Sequence, residues 1–319
     1  MREFDSAAAQ AARDRQDRLT KPPGSLGRLE RLAVFMAGWQ GRPDPRIERA
    51  QALVFAGNHG IAARGVSPFA PEVTALMVDN FDRGGAAINQ LCRVAGADLS
   101  VVSLELDRPT ADFTTGPAMT GEEVAQALQA GARAVDPHAD VLILGEMGIA
   151  NSTVAAVQAA AVFGGTGAEW VGPGTGAQLD MLNVKVQTVD AGLERHRAAR
   201  GTEAILAAYG GREQTAICGA IRQARDLGIP VILDGFICTA AASVLLRDDS
   251  AALDHCLVGH LSAEPGHARL IERMGKEPVV TLDMRLGEGS GAAIALMVLR
   301  AALECHNGMA TFAEAGIGA

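Results

Sequence analysis

Short apolar runs alternate with amphipathic stretches along most of the chain, and the alternation predicts its architecture. Ala52-Leu53-Val54-Phe55-Ala56, Leu99 to Leu104, Val141-Leu142-Ile143-Leu144, Val231-Ile232-Leu233, Cys256-Leu257-Val258 and Val279-Val280-Thr281-Leu282 are strand-length segments with no polar face. They read as about six buried strands of a mostly parallel sheet. Between them lie stretches of helical period, including Glu122 to Val135, Arg212 to Leu227 and Ala263 to Met274. Strand and helix in alternation give an α/β fold, a Rossmann-like sheet flanked by helices. Residues 1–50 differ in texture. They are charged and helix-prone, broken by the turn Lys21-Pro22-Pro23-Gly24-Ser25-Leu26-Gly27, after which Leu26, Leu29 and Leu32 recur at helical spacing.

Open α/β sheets bind ligands beyond the carboxyl ends of their strands. Polar and glycine clusters fall there repeatedly: Gly57-Asn58-His59-Gly60, Gly145 to Thr153, Asp234-Gly235-Phe236, His260 to Glu264 and Arg285 to Gly291. Five clusters at one edge point to a single large site. The last sets Glu288 in a glycine-rich turn directly ahead of the apolar helical run Ala292 to Leu303. Glycines let the backbone approach a ligand, and a helix N-terminus offers N–H groups to an anion. A carboxylate there repels phosphate, so Glu288 reads as a base beside a phosphate-bearing substrate. The helix dipole is expected to keep it ionised, whereas burial would raise its pKa. The plainer alternative is a helix-capping carboxylate.

Glu146 closes the third strand, and Asn151-Ser152-Thr153 read as N-cap residues of the next helix. Gly172-Pro173-Gly174-Thr175-Gly176 supplies N–H groups and a hydroxyl suited to phosphate, without the Lys-Ser/Thr of a P-loop. Lys185 follows it, as a site residue or a solvated lysine. Phe69, Leu76 and Met77 could wall an apolar slot for an aromatic ring or simply pack the core. His59, His260 and His267 lack metal-ligand spacing, so no metal is expected. Ser67 and Ser262 lack a nucleophile-elbow context.

Composition narrows the classes. The chain has 319 residues, 48% hydrophobic and 20% charged, which is ample for a large core. A net charge of −9 without basic blocks argues against a nucleic-acid surface but leaves room for a small anionic substrate. Five scattered cysteines with no C-x-x-C pair, no signal peptide and no membrane-length apolar run fit a reducing cytoplasm and no membrane association.

The ordered set Lys21 to Gly27, Gly57-Asn58-His59-Gly60, Gly84-Gly85-Ala86-Ala87-Ile88-Asn89, Gly145-Glu146-Met147-Gly148-Ile149, Gly211-Arg212-Glu213, His260 to Glu264 and Arg285 to Gly291 closely resembles nicotinate-nucleotide–dimethylbenzimidazole phosphoribosyltransferases. The match runs from residue 20 to Phe312-Ala313-Glu314-Ala315-Gly316. The resemblance implies transfer of the phosphoribosyl group of nicotinate mononucleotide to 5,6-dimethylbenzimidazole. It implies a homodimer with no cofactor, and a small helical domain built from 1–50 and 290–319 beside an α/β catalytic domain at 51–289. It places the catalytic base on Glu288, with Leu286 beside the base pocket. Glu146 and Lys185 fall near the nicotinate end, Gly174, Thr175, Gly176, Gly235 and Ser262 around the phosphoribosyl group, and Ser67 near the benzimidazole. Two positions depart from the family pattern. Leu76 stands where a glutamine often contacts the benzimidazole, and Asn58 where aspartate is common. Leu76 keeps open a same-fold enzyme for adenine or a phenol. A non-catalytic nucleotide-binding protein would be expected to lack the carboxylates. A dinucleotide-dependent dehydrogenase is set aside because no glycine fingerprint follows the first strand.

Overall fold

The computed structural model describes residues 2–174, 176 and 178–317. Its sheet contains the six expected strands: β1 (Ala50–Ala56), β2 (Ala97–Ser103), β3 (Val141–Met147), β4 (Val231–Leu233), β5 (Cys256–Leu261) and β6 (Pro278–Thr281). They run in the order β2-β1-β3-β4-β5-β6, every neighbouring pair parallel. The chain winds outward from β1 to β2, then returns to add β3 on the other side of β1. That reversal opens a crevice above the carboxyl ends of β1 and β3, where such sheets bind ligands.

Alternate residues of the central strands enter two cores. Leu53, Phe55, Leu142, Leu144, Val231 and Leu233 face one side, covered by helices that include Asn151–Phe163 and Arg212–Leu227. Ala52, Val54, Val141, Ile143 and Ile232 face the other, covered by Arg28–Gln40, Ala87–Ala95 and Ser290–Gly308. Burial on both faces explains the unbroken apolar runs. The edge strands differ from that expectation: β2 alternates between half-buried and exposed positions, and β6 is half-buried at best.

Helices start where local chemistry sets them. Thr120 and Glu123 form a reciprocal capping box ahead of Gly121–Ala134. Pro265 opens Pro265–Arg273, where its missing N–H is no loss. The two termini meet: Thr20 N donates to Ala310 O at 3.0 Å and Phe312 N to Arg18 O at 2.9 Å. The helix Ser290–Gly308 packs on Arg28–Gln40, yet it also buries Ala292, Leu296 and Leu299 in the same core as β3 and β4. No helix among the described residues is long and apolar enough to cross a membrane.

Candidate active site

Segments after β3, β4, β5 and β6, with residues between Val66 and Met77, converge on one cavity of about 430 Å³; the Gly57-Asn58-His59-Gly60 cluster after β1 is not part of its lining. Two glycine–glutamate pairs build its floor. A Cβ on Gly145 would lie 2.5 Å from the backbone carbon of Glu288, and one on Gly287 would lie 2.6 Å from Glu146 Oε1. Glycine at both positions lets the end of β3 and the turn after β6 interlock.

Glu146 is buried at the end of β3, and Asn151 Nδ2 donates to its Oε2. Burial first, then the charges of Asp234 and Glu213, push its carboxyl well above the usual range, against the Asn151 hydrogen bond. The expected N-cap residues are not caps. The chain turns through Ala150 at φ +75°, and Asn151, Ser152 and Thr153 occupy the first turn of Asn151–Phe163. Their polar atoms are thereby free to serve the site, Asn151 on Glu146 and Ser152 on Lys185.

Glu288 is only 6% exposed and sits at φ +66° between Gly287 at +91° and Gly289 at +85°. A non-glycine residue there costs roughly 1–2 kcal/mol. Its Oε2 is buried without a hydrogen-bond partner. Capping of Ser290–Gly308 falls instead to Asp234, which accepts from Gly289 N at 3.1 Å and Ala292 N at 2.9 Å. Two of the donors that could have held Glu288 ionised are therefore taken. Burial, then the charge of Asp234, push its carboxyl up to about 7. The expected dipole effect yields to these two.

Lys185 is buried, not solvated. From the helix Leu179–Arg195 it donates to Gly172 O at 2.7 Å and Ser152 Oγ at 3.1 Å, pinning the glycine-rich loop. Burial lowers its pKa, opposed by Glu264, whose own carboxyl burial raises. Glu264 is buried on the cavity wall, its carboxylate facing Lys185 and the Gly174 backbone. Gly174 lines the cavity, Gly176 is exposed and does not, and Thr175 lies outside the described residues. Gly235 precedes Phe236–Ser243, a helix whose N-terminus takes no side-chain cap and opens on the cavity. Ser262 is also on the wall. Its N–H donates to His267 Nδ1 at 3.0 Å, which leaves the His267 Nε2 proton for Thr239 Oγ1 at 3.2 Å. Burial, then His260, push His267 down to about 3, so it stays neutral and holds Ser262. His59 pairs with Glu213 at 2.9 Å, both fully buried. Among the described residues no three His, Cys, Asp or Glu side chains group as a metal site.

The remaining wall is apolar: Val66, Phe69, Val73 and Met77, with Ser67 and Leu286 at its margins. Leu76 is not brought there. It is 63% exposed on Val73–Asp82, while Val73 and Met77 face the cavity one turn apart. Sequence reasoning assigned no part in the chemistry to Asp234, Asn151 or Glu264. Asp234 follows β4 at the edge that identified Glu146, and that position was the available signal.

Comparison with known proteins bears on the whole chain. The sequence model of a family described as "Phosphoribosyltransferase" matches residues 1–317. A nicotinate-nucleotide–dimethylbenzimidazole phosphoribosyltransferase of Rhodobacter capsulatus is 61% identical, covering 99% of this chain and 94% of its own length. One of Ruegeria pomeroyi is 56% identical over 98% of this chain and 93% of its own. The crystal structure of such an enzyme from Thermus thermophilus superposes with a TM-score of 0.92 at 40% identity, covering 99% of this chain and all of its own.

Proposed function

The chain belongs to the nicotinate-nucleotide–dimethylbenzimidazole phosphoribosyltransferase family, and from that premise we propose that Glu288 is the base of its reaction. The enzyme transfers the 5-phosphoribosyl group of nicotinate mononucleotide to 5,6-dimethylbenzimidazole, giving α-ribazole 5′-phosphate and nicotinate in cobalamin lower-ligand synthesis. The benzimidazole ring lies against Val66, Phe69, Val73 and Met77, with Ser67 and Leu286 at its edges. Gly174, Gly235 and Ser262 surround the phosphoribosyl group, supported by the uncapped helix N-terminus at Gly235. Glu146 and the loop pinned by Lys185 lie toward the nicotinate end.

The unprotonated benzimidazole nitrogen attacks C1′ of the ribose. The bond from C1′ to the pyridinium nitrogen breaks, and its electron pair returns to the ring, releasing neutral-ring nicotinate. Attack on the face opposite the leaving group inverts C1′ from β to α. Glu288 takes the proton from the other benzimidazole nitrogen, so no buried cation remains. Holding two planar rings across one ribose supplies much of the remaining acceleration.

The observation that carries this reading is the free Oε2 of Glu288, buried at the cavity in a strained turn and raised toward neutrality. The test incubates the protein with both substrates and follows nicotinate and the new ribotide by chromatography. Equimolar release by wild type and its loss in Glu288→Gln support the assignment; wild-type turnover by that variant removes Glu288 as base. The working form is a homodimer, supported by the exposed apolar Phe69 and Leu286 at the cavity mouth, and light scattering in solution tests it. A reducing cytoplasm fits its five free cysteines.

A further inference from the structure

A base needs a fixed position and a proton affinity suited to its task. We infer that Asp234 is the positioning residue for Glu288, anchoring the turn that presents it and setting a like charge against it. This rests on reading Glu288 as the base. Asp234 stands at the end of β4, only 1% exposed, and reaches across to the segment after β6. Its two oxygens accept from Gly289 N and Ala292 N, the cap and third positions of Ser290–Gly308. A capping box divides those tasks between two residues of the helix itself. Here one side chain from another strand does both, and the helix start is thereby tied to the cavity floor.

The hydrogen bond to Gly289 falls immediately after Glu288, on the third of three successive left-handed residues. Such a conformation persists only where its surroundings over-determine it. The Ser290 hydroxyl closes the same turn on Gly287 O at 2.7 Å. A neutral helix cap would serve the helix alone. A buried carboxylate here stands among Glu146 from β3 and Glu288 from the turn, an unfavourable placement for a purely structural group. His260 from β5 approaches Asp234 Oδ1 at 3.7 Å, with its Nδ1 buried and unpartnered. Arg285, on the turn itself, is exposed. Glu146, Lys185, Asp234, His260, Glu264 and Arg285 are the ionisable groups that line the cavity with Glu288 among the described residues. Among them, Asp234 is the charge that raises it.

Asn in place of Asp234 keeps the shape, removes the charge and accepts only one of the two N–H groups. Glu keeps the charge and moves the oxygens. The experiment records kcat and kcat/KM against pH for wild type, Asp234→Asn, Asp234→Glu and Glu288→Gln, after circular dichroism confirms folding. For Asp234→Asn, the acid limb is expected to move to lower pH by about one unit. Its kcat is expected to fall roughly tenfold or more from misplacement of the base, with KM for nicotinate mononucleotide within about threefold of wild type. Asp234→Glu should keep the wild-type limb and lose kcat. An unmoved limb or wild-type kcat in folded Asp234→Asn overturns the inference. If that variant does not fold, Asp234→Glu decides: reduced kcat on an unmoved limb supports the inference, and wild-type kcat overturns it. Full turnover by Glu288→Gln would instead sink the base assignment, a failure separable from any result at Asp234.

Discussion

Glu146 and Glu288 are the same type of side chain, both buried at one cavity and both raised by desolvation, yet their surroundings differ in kind. Glu146 ends a paired strand, and its carboxylate is tied to Asn151. Glu288 stands on a left-handed turn with one oxygen free. A carboxyl already committed to a partner is suited to orienting a substrate. A free one near neutrality is suited to moving a proton. On the proposed assignment, burial alone does not make a base; the unmatched oxygen and the turn that aims it do.

The largest effect should come from Glu288→Gln, which would remove the proposed proton transfer and leave the shape. We expect kcat to fall on the order of 10²–10⁴-fold in the substrate assay, with the fold intact by circular dichroism. In the wild type, kcat/KM should rise with pH through about 7, because the base works deprotonated. Stability should show the opposite trend. A carboxyl raised from 4.5 to about 7 on folding contributes stability that is fully present below 4.5 and lost as pH rises through 7. Above pH 8, Glu288→Gln should therefore melt higher than wild type, by up to roughly 3 kcal/mol on the pKa-to-energy conversion. A melting curve unchanged across pH 5 to 9 would mean that Glu288 is not strained by charge.

Gly145→Ala comes next, because it strikes where the two glutamates interlock. Its methyl would meet the Glu288 backbone carbon at 2.5 Å, and neither strand nor turn has a flexible end to yield. Overpacking of this kind costs about 1–3 kcal/mol, and displacing the base should lower kcat by roughly 10²-fold. Thermal melting and turnover should fall together. Glu146→Gln should be milder, no more than roughly tenfold in kcat, because burial already disfavours the charged form of that carboxyl and an amide oxygen can still accept from Asn151. A loss as deep as that of Glu288→Gln would erase the distinction between the two glutamates.

Much of this was legible in the sequence, for physical reasons. Strands buried on both faces must be apolar throughout, so β1, β3, β4 and β5 announced themselves, and the clusters after β3, β4 and β5 marked the cavity while the one after β1 did not. Glu288 stood out through its glycines. Asp234 did not, because its hydrogen bonds join segments distant in the chain and leave no local pattern. For the same reason Glu288 could be read as its own helix cap until the actual cap was seen. Ser152 and Thr153 misled because good capping residues follow a strand, whereas the sharp turn at Ala150 moved them into the helix.

The smallest effect is expected at Leu76, where side-chain direction was the illegible quantity. On Val73–Asp82, Thr74 and Phe81 face inward, seven residues apart on one stripe. Leu76, two residues after Thr74, is turned about 200° from that stripe at 3.6 residues per turn. Met77 takes the cavity face instead. Leu76→Gln should then leave kcat/KM for 5,6-dimethylbenzimidazole, and its ranking against adenine, within about twofold, the range of surface substitutions near ±0.5 kcal/mol. Met77→Ala, tested alongside, should weaken the benzimidazole acceptor by removing apolar wall, raising its KM severalfold while nicotinate mononucleotide KM holds. If Leu76→Gln reorders the acceptors and Met77→Ala does not, the acceptor-binding face of this helix is the outward one, and the second copy in the proposed dimer is the place to seek the rest of the pocket.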